Sequence, residues 1–279
     1  DLSSGVMAVF STEGAFAALK SDGSVVTWGH SDYGSDSSGV DLASDVIDIF
    51  ATVGAFAALK SDGSVVTWGE PENGGDSTGV ALDSDVMTVF SNPSAFAALK
   101  VDGSLVTWGN ALYGANSSSA DLSSGVVDVA AAKLAFAALK SDGSVVAWGE
   151  SYSGGSTDGF ALGVPTRRSV KRIESAQQAF AGLKSDGSVV TWGYSGNGGN
   201  SSGVSDALSS GVRRVDNTNM AFAATKTDGS VVTWGQGDAG SPSGMSTLLS
   251  SGVTDISGGD YAFAALKGDG SVVTWGSES

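Results

Sequence analysis

The chain has 279 residues, of which 41% are hydrophobic, and a formal net charge of −16. This acidity disfavours binding to nucleic acid or insertion at an anionic membrane surface, because phosphate contacts need clustered Lys and Arg. The sequence has no Cys, which excludes disulfides, a thiol nucleophile and Cys-ligated metal sites.

The chain is organised by one repeated block, which reads AFAALKSDGSVVTWG at residues 15–29. Successive copies start 40, 40, 40, 44, 42 and 41 residues apart, a spacing typical of repeat architectures. The seven copies begin at Ala15, Ala55, Ala95, Ala135, Ala179, Ala221 and Ala262. Tandem copies of one unit predict a single domain over residues 1–279.

Each repeat contains several short strands. In the first copy, residues 6–10 (VMAVF) are β-branched and aromatic, residues 15–20 (AFAALK) are too few for a stable helix, and residues 24–28 (SVVTW) alternate in polarity. Asp22-Gly23 favours a hairpin turn between the last two strands. With the preceding DLSS-type segment as a short fourth strand, the pattern predicts about four antiparallel strands per repeat.

Seven such repeats predict an all-β, seven-bladed β-propeller. We expect one Trp per repeat to pack between neighbouring blades: Trp28, Trp68, Trp108, Trp148, Trp192, Trp234 and Trp275. The seventh copy is followed only by residues 277–279, whereas a DLSS-type segment opens the chain. The sequence therefore predicts that residues 1–5 supply the outer strand of the seventh blade and close the ring.

The repeated Leu-Lys strand, Asp-Gly turn and Val-Val-x-Trp-Gly strand resemble the regulator of chromosome condensation repeat family. Within it, the units SGV-x-x-V, FAALK, DGSVV and TWG are most similar to the secreted bacterial β-lactamase inhibitory proteins of propeller type. The resemblance implies a seven-bladed propeller that acts as an interaction platform. The best known family member exchanges guanine nucleotide on a small GTPase, so the resemblance also raises that activity.

The sequence departs from the family pattern at two points. Ala stands in each copy where the family usually has His, and Gly34-Ser35-Asp36-Ser37 replaces its Gly-Gln-Leu-Gly turn. Neither change opposes a propeller, but both oppose the transfer of a specific partner. The connections between the first two strands of each repeat contain one aromatic residue, Tyr261, which disfavours specific β-lactamase inhibition.

A binding site should break the sevenfold repetition, and a cluster of cations does so. Lys171-Arg172 and Arg213-Arg214 occupy the same positions in the first strands of units five and six, so we expect them to lie side by side. A local cationic surface on an acidic protein suits a carboxylate or an acidic partner. The alternative is that Glu174, Asp216 and other nearby acids neutralise it. The predicted partner-binding residues are Arg167, Arg168, Lys171, Arg172, Arg213 and Arg214.

Two sequons at Asn116 and Asn200 are candidate N-glycosylation sites, although chance matches are frequent in Ser-rich sequence. Used sequons would place the protein outside the cell, at the cell surface or in an organelle lumen. No signal peptide is present, but the chain starts at Asp1 rather than Met, so we expect a processed or excised chain.

The sequence does not support an enzyme. His30 is the one histidine, lies in a variable loop and has no nearby nucleophile, so it is interpreted as a solvated residue. No metal or cofactor motif is found. We expect a non-catalytic scaffold or accessory subunit that binds another protein. The alternatives are an enzyme-inhibitor-like or carbohydrate-binding propeller and a guanine nucleotide exchange factor.

Overall fold

The computed structural model describes residues 1–157 and 169–277. The chain divides into two compact units, Asp1–Val127 and Asp128–Ser279, called unit 1 and unit 2 below. Seven antiparallel sheets of three strands each follow one another along the sequence. The predicted all-β class and sevenfold repeat are confirmed, whereas the single-domain boundary stays a prediction.

Unit 1 contains three complete sheets, each with its strands in chain order. Sheet 1 comprises β1 (Val6–Ser11), β2 (Ala15–Lys20) and β3 (Val25–Gly29); sheet 2 comprises β4 (Val46–Ala51), β5 (Ala55–Lys60) and β6 (Val65–Gly69); sheet 3 comprises β7 (Val86–Ser91), β8 (Ala95–Lys100) and β9 (Leu105–Gly109). Short 3-10 turns follow the third strands at Ser31–Tyr33, Pro71–Asn73 and Ala111–Tyr113.

Unit 2 contains the remaining sheets, apart from the first two residues of β10. Sheet 4 comprises β10 (Val126–Ala131), β11 (Ala135–Lys140) and β12 (Val145–Gly149); sheet 5 comprises β13 (Val170–Ser175), β14 (Ala179–Lys184) and β15 (Val189–Gly193); sheet 6 comprises β16 (Val212–Asn217), β17 (Ala221–Lys226) and β18 (Val231–Gly235); sheet 7 comprises β19 (Val253–Gly258), β20 (Ala262–Lys267) and β21 (Val272–Gly276). Helical turns lie at Ser151–Ser153, Ser195–Asn197, Ser202–Val204 and α1 (Gly237–Gly240).

The hairpin between the second and third strands forms as the sequence predicts. Gly23 has φ +78°, and a Cβ there would lie 2.7 Å from the backbone nitrogen of Asp45. The Asp22 carboxylate accepts hydrogen bonds from the backbone N–H of Ser24 at 3.0 Å and from its hydroxyl at 2.6 Å. These contacts lower the pKa of the Asp22 carboxyl, the Ser24 hydroxyl most strongly. The repeated Asp therefore builds the turn.

The core lies between successive sheets. Trp68 stacks on Phe56 of its own sheet, with the ring centroids 5.2 Å apart, and both pack against Ala15 and Leu19 of the preceding sheet. The Trp68 indole N–H donates to the Gly34 carbonyl of the preceding loop at 2.9 Å. The predicted role of Trp between neighbouring repeats agrees with this packing.

The prediction of four strands per repeat is wrong, because the DLSS-type segment does not form a strand. The Asp41 carboxylate accepts a hydrogen bond from the backbone N–H of Ala43 at 3.1 Å, and this local turn competes with a ladder. One bond remains to the preceding sheet: Val25 N–H donates to the Leu42 carbonyl at 2.9 Å. Leu42 is buried, so the segment anchors the linker through one side chain. Closure of a ring stays a prediction.

Candidate functional site

Four of the six predicted cations lie on two neighbouring first strands of unit 2. Lys171 and Arg172 are on β13, and Arg213 and Arg214 occupy the same positions on β16, which contacts β13. The predicted Arg167 and Arg168 lie outside the described residues. The expected side-by-side arrangement is therefore present for the four described cations.

Arg172 is held by a carboxylate on its own strand. Its guanidinium forms an ion pair with Glu174, whose side chain is 19% exposed. Glu174 occupies the strand position that Phe50 has in unit 1, where the aromatic ring packs into the core between sheets. Burial raises the pKa of the Glu174 carboxyl, and the positive charge of Arg172 opposes that shift.

Arg214 has three acceptors on two strands. It forms ion pairs with Asp216 at 2.5 Å and with Asp255 on β19, and it donates to the Ile256 carbonyl at 3.3 Å. Asp216 is 8% exposed, and its Oδ2 has no hydrogen-bond partner within the described part of the chain. Burial raises the pKa of Asp216 to about 6, against the charge of Arg214 and with the help of Glu174 and Asp255.

The two remaining cations are exposed. Arg213 donates a hydrogen bond to the Thr254 carbonyl on β19 at 2.9 Å, so it also spans sheets 6 and 7. Lys171 lies at the equivalent position of β13. Thus Arg213 and Arg214 link β16 to β19, Arg172 is paired within β13, and Lys171 and Arg213 remain exposed on neighbouring strands.

A Lys ends the second strand of every repeat, and in two repeats its contacts are structural. Lys226 and Lys267 donate from Nζ to the carbonyls of Ala207 and Leu248, at 2.7 and 3.0 Å. Both acceptors lie in the linker before the first strand of the same sheet, so these side chains fasten that linker.

Both sequon asparagines are exposed and have a structural role. The Asn116 and Asn200 side-chain oxygens accept hydrogen bonds from the backbone N–H two residues later, at 3.1 and 2.9 Å. Asp36 and Asp76 make the same turn in other repeats. The turn accounts for these asparagines, and their glycosylation stays a prediction.

His30 caps a 3-10 turn. Its Nδ1 accepts a hydrogen bond from the Asp32 backbone N–H at 3.3 Å, and the imidazole meets the Tyr33 ring edge-on, with centroids 5.5 Å apart. The side chain is 60% exposed. Within residues 1–157 and 169–277, no group of three or more His, Asp or Glu is placed to hold a metal ion.

One pair of neighbouring aromatic residues was not predicted from the sequence. Tyr152 and Tyr194 follow the third strands of sheets 4 and 5, and their rings lie 4.5 Å apart between centroids. Tyr152 is 55% exposed. The two residues lie at different distances from the preceding Trp, so aligning the repeats does not bring them together, although an aromatic residue in each loop was a usable signal.

The comparisons with known proteins concern the fold. No family model and no curated protein matches the chain. Human WBSCR16 is similar in structure at 18% identity and a TM-score of 0.53, over 96% of this chain and 88% of that one. The CRINKLY WD40 ectodomain of the Arabidopsis thaliana receptor kinase ACR4 has 18% identity and a TM-score of 0.48, over 98% and 97% of the two chains.

Yeast RCC1 (Prp20), in a structure with Kap60, has 18% identity and a TM-score of 0.45, over 97% of this chain and 70% of that one. Of these three structures, WBSCR16 exceeds a TM-score of 0.5, and at this identity its likeness shows the fold alone. Resemblance to β-lactamase inhibitory proteins stays a prediction. In the described part of the chain, no helix is long and apolar enough to cross a membrane.

Proposed function

We propose that the chain is a non-catalytic protein-binding propeller that receives carboxylates of a partner on the first strands of unit 2. The observation that carries the proposal is the pairing of exposed Lys171 and Arg213 at one register position of neighbouring strands. The next residue on each strand, Arg172 or Arg214, forms an ion pair with a carboxylate of the same strand. Two cations on a rigid support lose little entropy when they bind an acidic segment.

A decaglutamate peptide tests this surface. Wild-type protein should bind it with an affinity that falls as salt rises, because exposed charge pairs are screened. The double variant Lys171→Glu/Arg213→Glu should lose at least about tenfold in affinity, since two attractions become repulsions. Lys133→Glu makes the same kind of change at another exposed site of unit 2 and should lose much less.

An equal loss of binding free energy per reversed charge in Lys133→Glu and in the double variant would reduce the effect to net charge and reject a defined surface. Arg214 stays unchanged in this test, because its loss would leave the buried Asp216 carboxylate without its ion pair.

Carbohydrate binding is a second candidate, favoured by the exposed ring of Tyr152 beside Tyr194. Aromatic faces offer an apolar platform to which sugars can stack. A glycan array should then give signals that disappear in Tyr152→Ala/Tyr194→Ala. The other predicted activities have direct assays: GDP release from small GTPases and inhibition of β-lactamase.

We further propose that the protein acts outside the cell, at its surface or in a lumen.

We also propose that residues 1–5 complete sheet 7 and close the ring. The repeated linker geometry supports closure. The buried Leu42, Leu82, Leu208 and Leu249 each accept a hydrogen bond from the first residue of the preceding third strand. Leu2 is the corresponding residue for Val272, and both side chains are exposed.

A further inference from the structure

We propose that unit 1 carries a separate docking surface for a cationic amphipathic segment of a partner protein. The surface is a stripe formed by Met7, Ile47 and Met87 on β1, β4 and β7. It rests on the proposed function only in that the chain binds protein. It differs from the unit 2 surface in position, in chemistry and in the partner it fits.

The stripe is exposed at one register position of three strands that contact one another in chain order. Met7, Ile47 and Met87 are 69%, 57% and 54% exposed. In unit 2 the same position holds Lys171 and Arg213. The fold therefore accepts charged side chains here, and large apolar residues in four successive copies, the fourth being Val127 at 53% exposed, are not required by packing.

A β-bulge explains why these side chains project outward. Val46 pairs with Lys60 and Asp48 pairs with Leu59, so Ile47 is the extra residue between two paired positions. The same irregularity occurs around Met7 and Met87. A bulged residue has no cross-strand neighbour to cover it, and bulges commonly aim a side chain at a binding site.

Two exposed acids that precede stripe residues in sequence have an unfavourable backbone conformation. Asp45 and Asp85, two residues before Ile47 and Met87, have φ of +67° and +66°. Four other copies place Gly at this position: Gly5, Gly125, Gly211 and Gly252. Left-handed backbone is unfavourable for residues with a Cβ, and strained residues cluster at functional sites.

The charge of unit 1 selects the class of partner. Residues 1–127 contain 16 Asp and Glu against three Lys, a net charge of −13, whereas residues 128–279 have 14 acids and 11 Lys and Arg, a net charge of −3. A strongly negative unit attracts cations and repels acidic segments. Two of the three stripe residues are Met, whose flexible side chain adapts to varied apolar partners. An amphipathic cationic segment satisfies both features.

The probe is a synthetic 18-residue peptide of Leu and Lys, with Leu at helical spacing and the other positions Lys. Its matched control has the same composition in scrambled order. Fluorescence anisotropy with the full chain should show tighter binding of the patterned peptide by at least about tenfold, because only that peptide buries the stripe.

The decisive variants are Ile47→Gln/Met87→Gln and the matched surface control Val101→Gln, which removes an apolar side chain that is 67% exposed outside the stripe. The double variant should lose about tenfold or more for the patterned peptide, and Val101→Gln less than about twofold. Unchanged binding in the double variant, equal binding of the scrambled peptide, or no binding by wild type would each overturn the proposal.

The same proteins separate this proposal from the proposed function. Ile47→Gln/Met87→Gln should keep its affinity for decaglutamate, whereas Lys171→Glu/Arg213→Glu should keep its affinity for the patterned Leu-Lys peptide. Loss of both ligands in both double variants would indicate one shared surface, and would overturn the assignment of a separate stripe.

Discussion

At the scale of single residues, carboxylates replace aromatic rings in the first strands of unit 2. Glu174 and Asp216 stand where Phe10, Phe50 and Phe90 stand in unit 1. A buried carboxylate is costly unless it is paired, and Arg172 and Arg214 supply the pairing. The cations and acids of β13 and β16 therefore form one structural group, from which only part of the positive charge reaches solvent.

The titration of Asp216 should be visible in stability. A pKa raised to about 6 means that the folded protein binds a proton more tightly than the unfolded chain. The stabilisation that proton binding to Asp216 gives the folded protein is complete below the unfolded pKa near 4 and is lost as pH rises through 6. Asp216→Asn should remove this loss, which in wild type has a slope of up to about 1.4 kcal/mol per pH unit.

Urea unfolding of wild type and Asp216→Asn between pH 4.5 and 8 measures the difference. The free energy of unfolding of Asp216→Asn should rise relative to that of wild type as pH rises. In the variant, Arg214 keeps its contact with Asp255, and Glu174 keeps its ion pair with Arg172. Parallel stability curves would contradict the raised pKa. The exposed turn Asp residues have lowered pKa values, so their effect falls in a separate, more acidic window.

The backbone strain at Asp45 gives a second test at this scale. Asp tolerates the left-handed region better than Ala does, and Gly tolerates it best. Asp45→Ala should therefore lower the free energy of unfolding by about 1 kcal/mol, whereas Asp45→Gly should not lower it. Thermal melts of both variants against wild type provide the measurement, and a more stable Ala variant would count against strain.

At the scale of the element, the Phe and Trp side chains of a sheet pack against the loop that precedes it. A Cβ on Gly74 would lie 2.6 Å from the Phe96 ring, and the Gly74 carbonyl accepts the Trp108 indole N–H at 3.1 Å. Gly79, in the same linker, also has positive φ but no atom within 4 Å of a Cβ. The two glycines thus share backbone conformation and differ in packing.

Gly74→Ala should therefore destabilise much more than Gly79→Ala. The first combines an unfavourable φ with overpacking of about 1–3 kcal/mol against a buried ring, and the second has only the backbone cost of about 1 kcal/mol. Chemical unfolding of the two variants isolates the contact. Equal destabilisation would show that the seam can relax around an added methyl group.

The elements also show what the sequence could reveal. The strands follow from alternation, β-branched residues and the Asp-Gly turn, all of which are local signals. The DLSS-type segment was misassigned because it makes one backbone hydrogen bond to the preceding sheet, at Leu42, and a short local turn takes up the next backbone N–H. The cation positions on β13 and β16 followed from repeat alignment. Their partners on β19 did not, because the reach of Arg214 to Asp255 depends on side-chain geometry.

At the scale of the whole molecule, the repeat gives each sheet the same two faces, and the sheets at the ends of the series show one face to solvent. In sheet 1, Phe16 is 44% exposed, whereas the equivalent Phe56 and Phe96 are fully buried. In sheet 7, Leu266 and Val272 are 45% and 61% exposed. Exposed apolar area of this kind favours association, and the proposed closure would cover it within one chain.

A single substitution tests closure. Leu42 is 7% exposed in its linker, and truncating such a side chain costs about 2–5 kcal/mol. Leu2 is 45% exposed, so without closure Leu2→Ala should cost no more than the control Leu248→Ala, at a residue 47% exposed. If residues 1–5 complete sheet 7, Leu2→Ala should instead approach Leu42→Ala. Thermal melts compare the three variants, and a Leu2→Ala midpoint equal to that of Leu248→Ala would reject the closed ring.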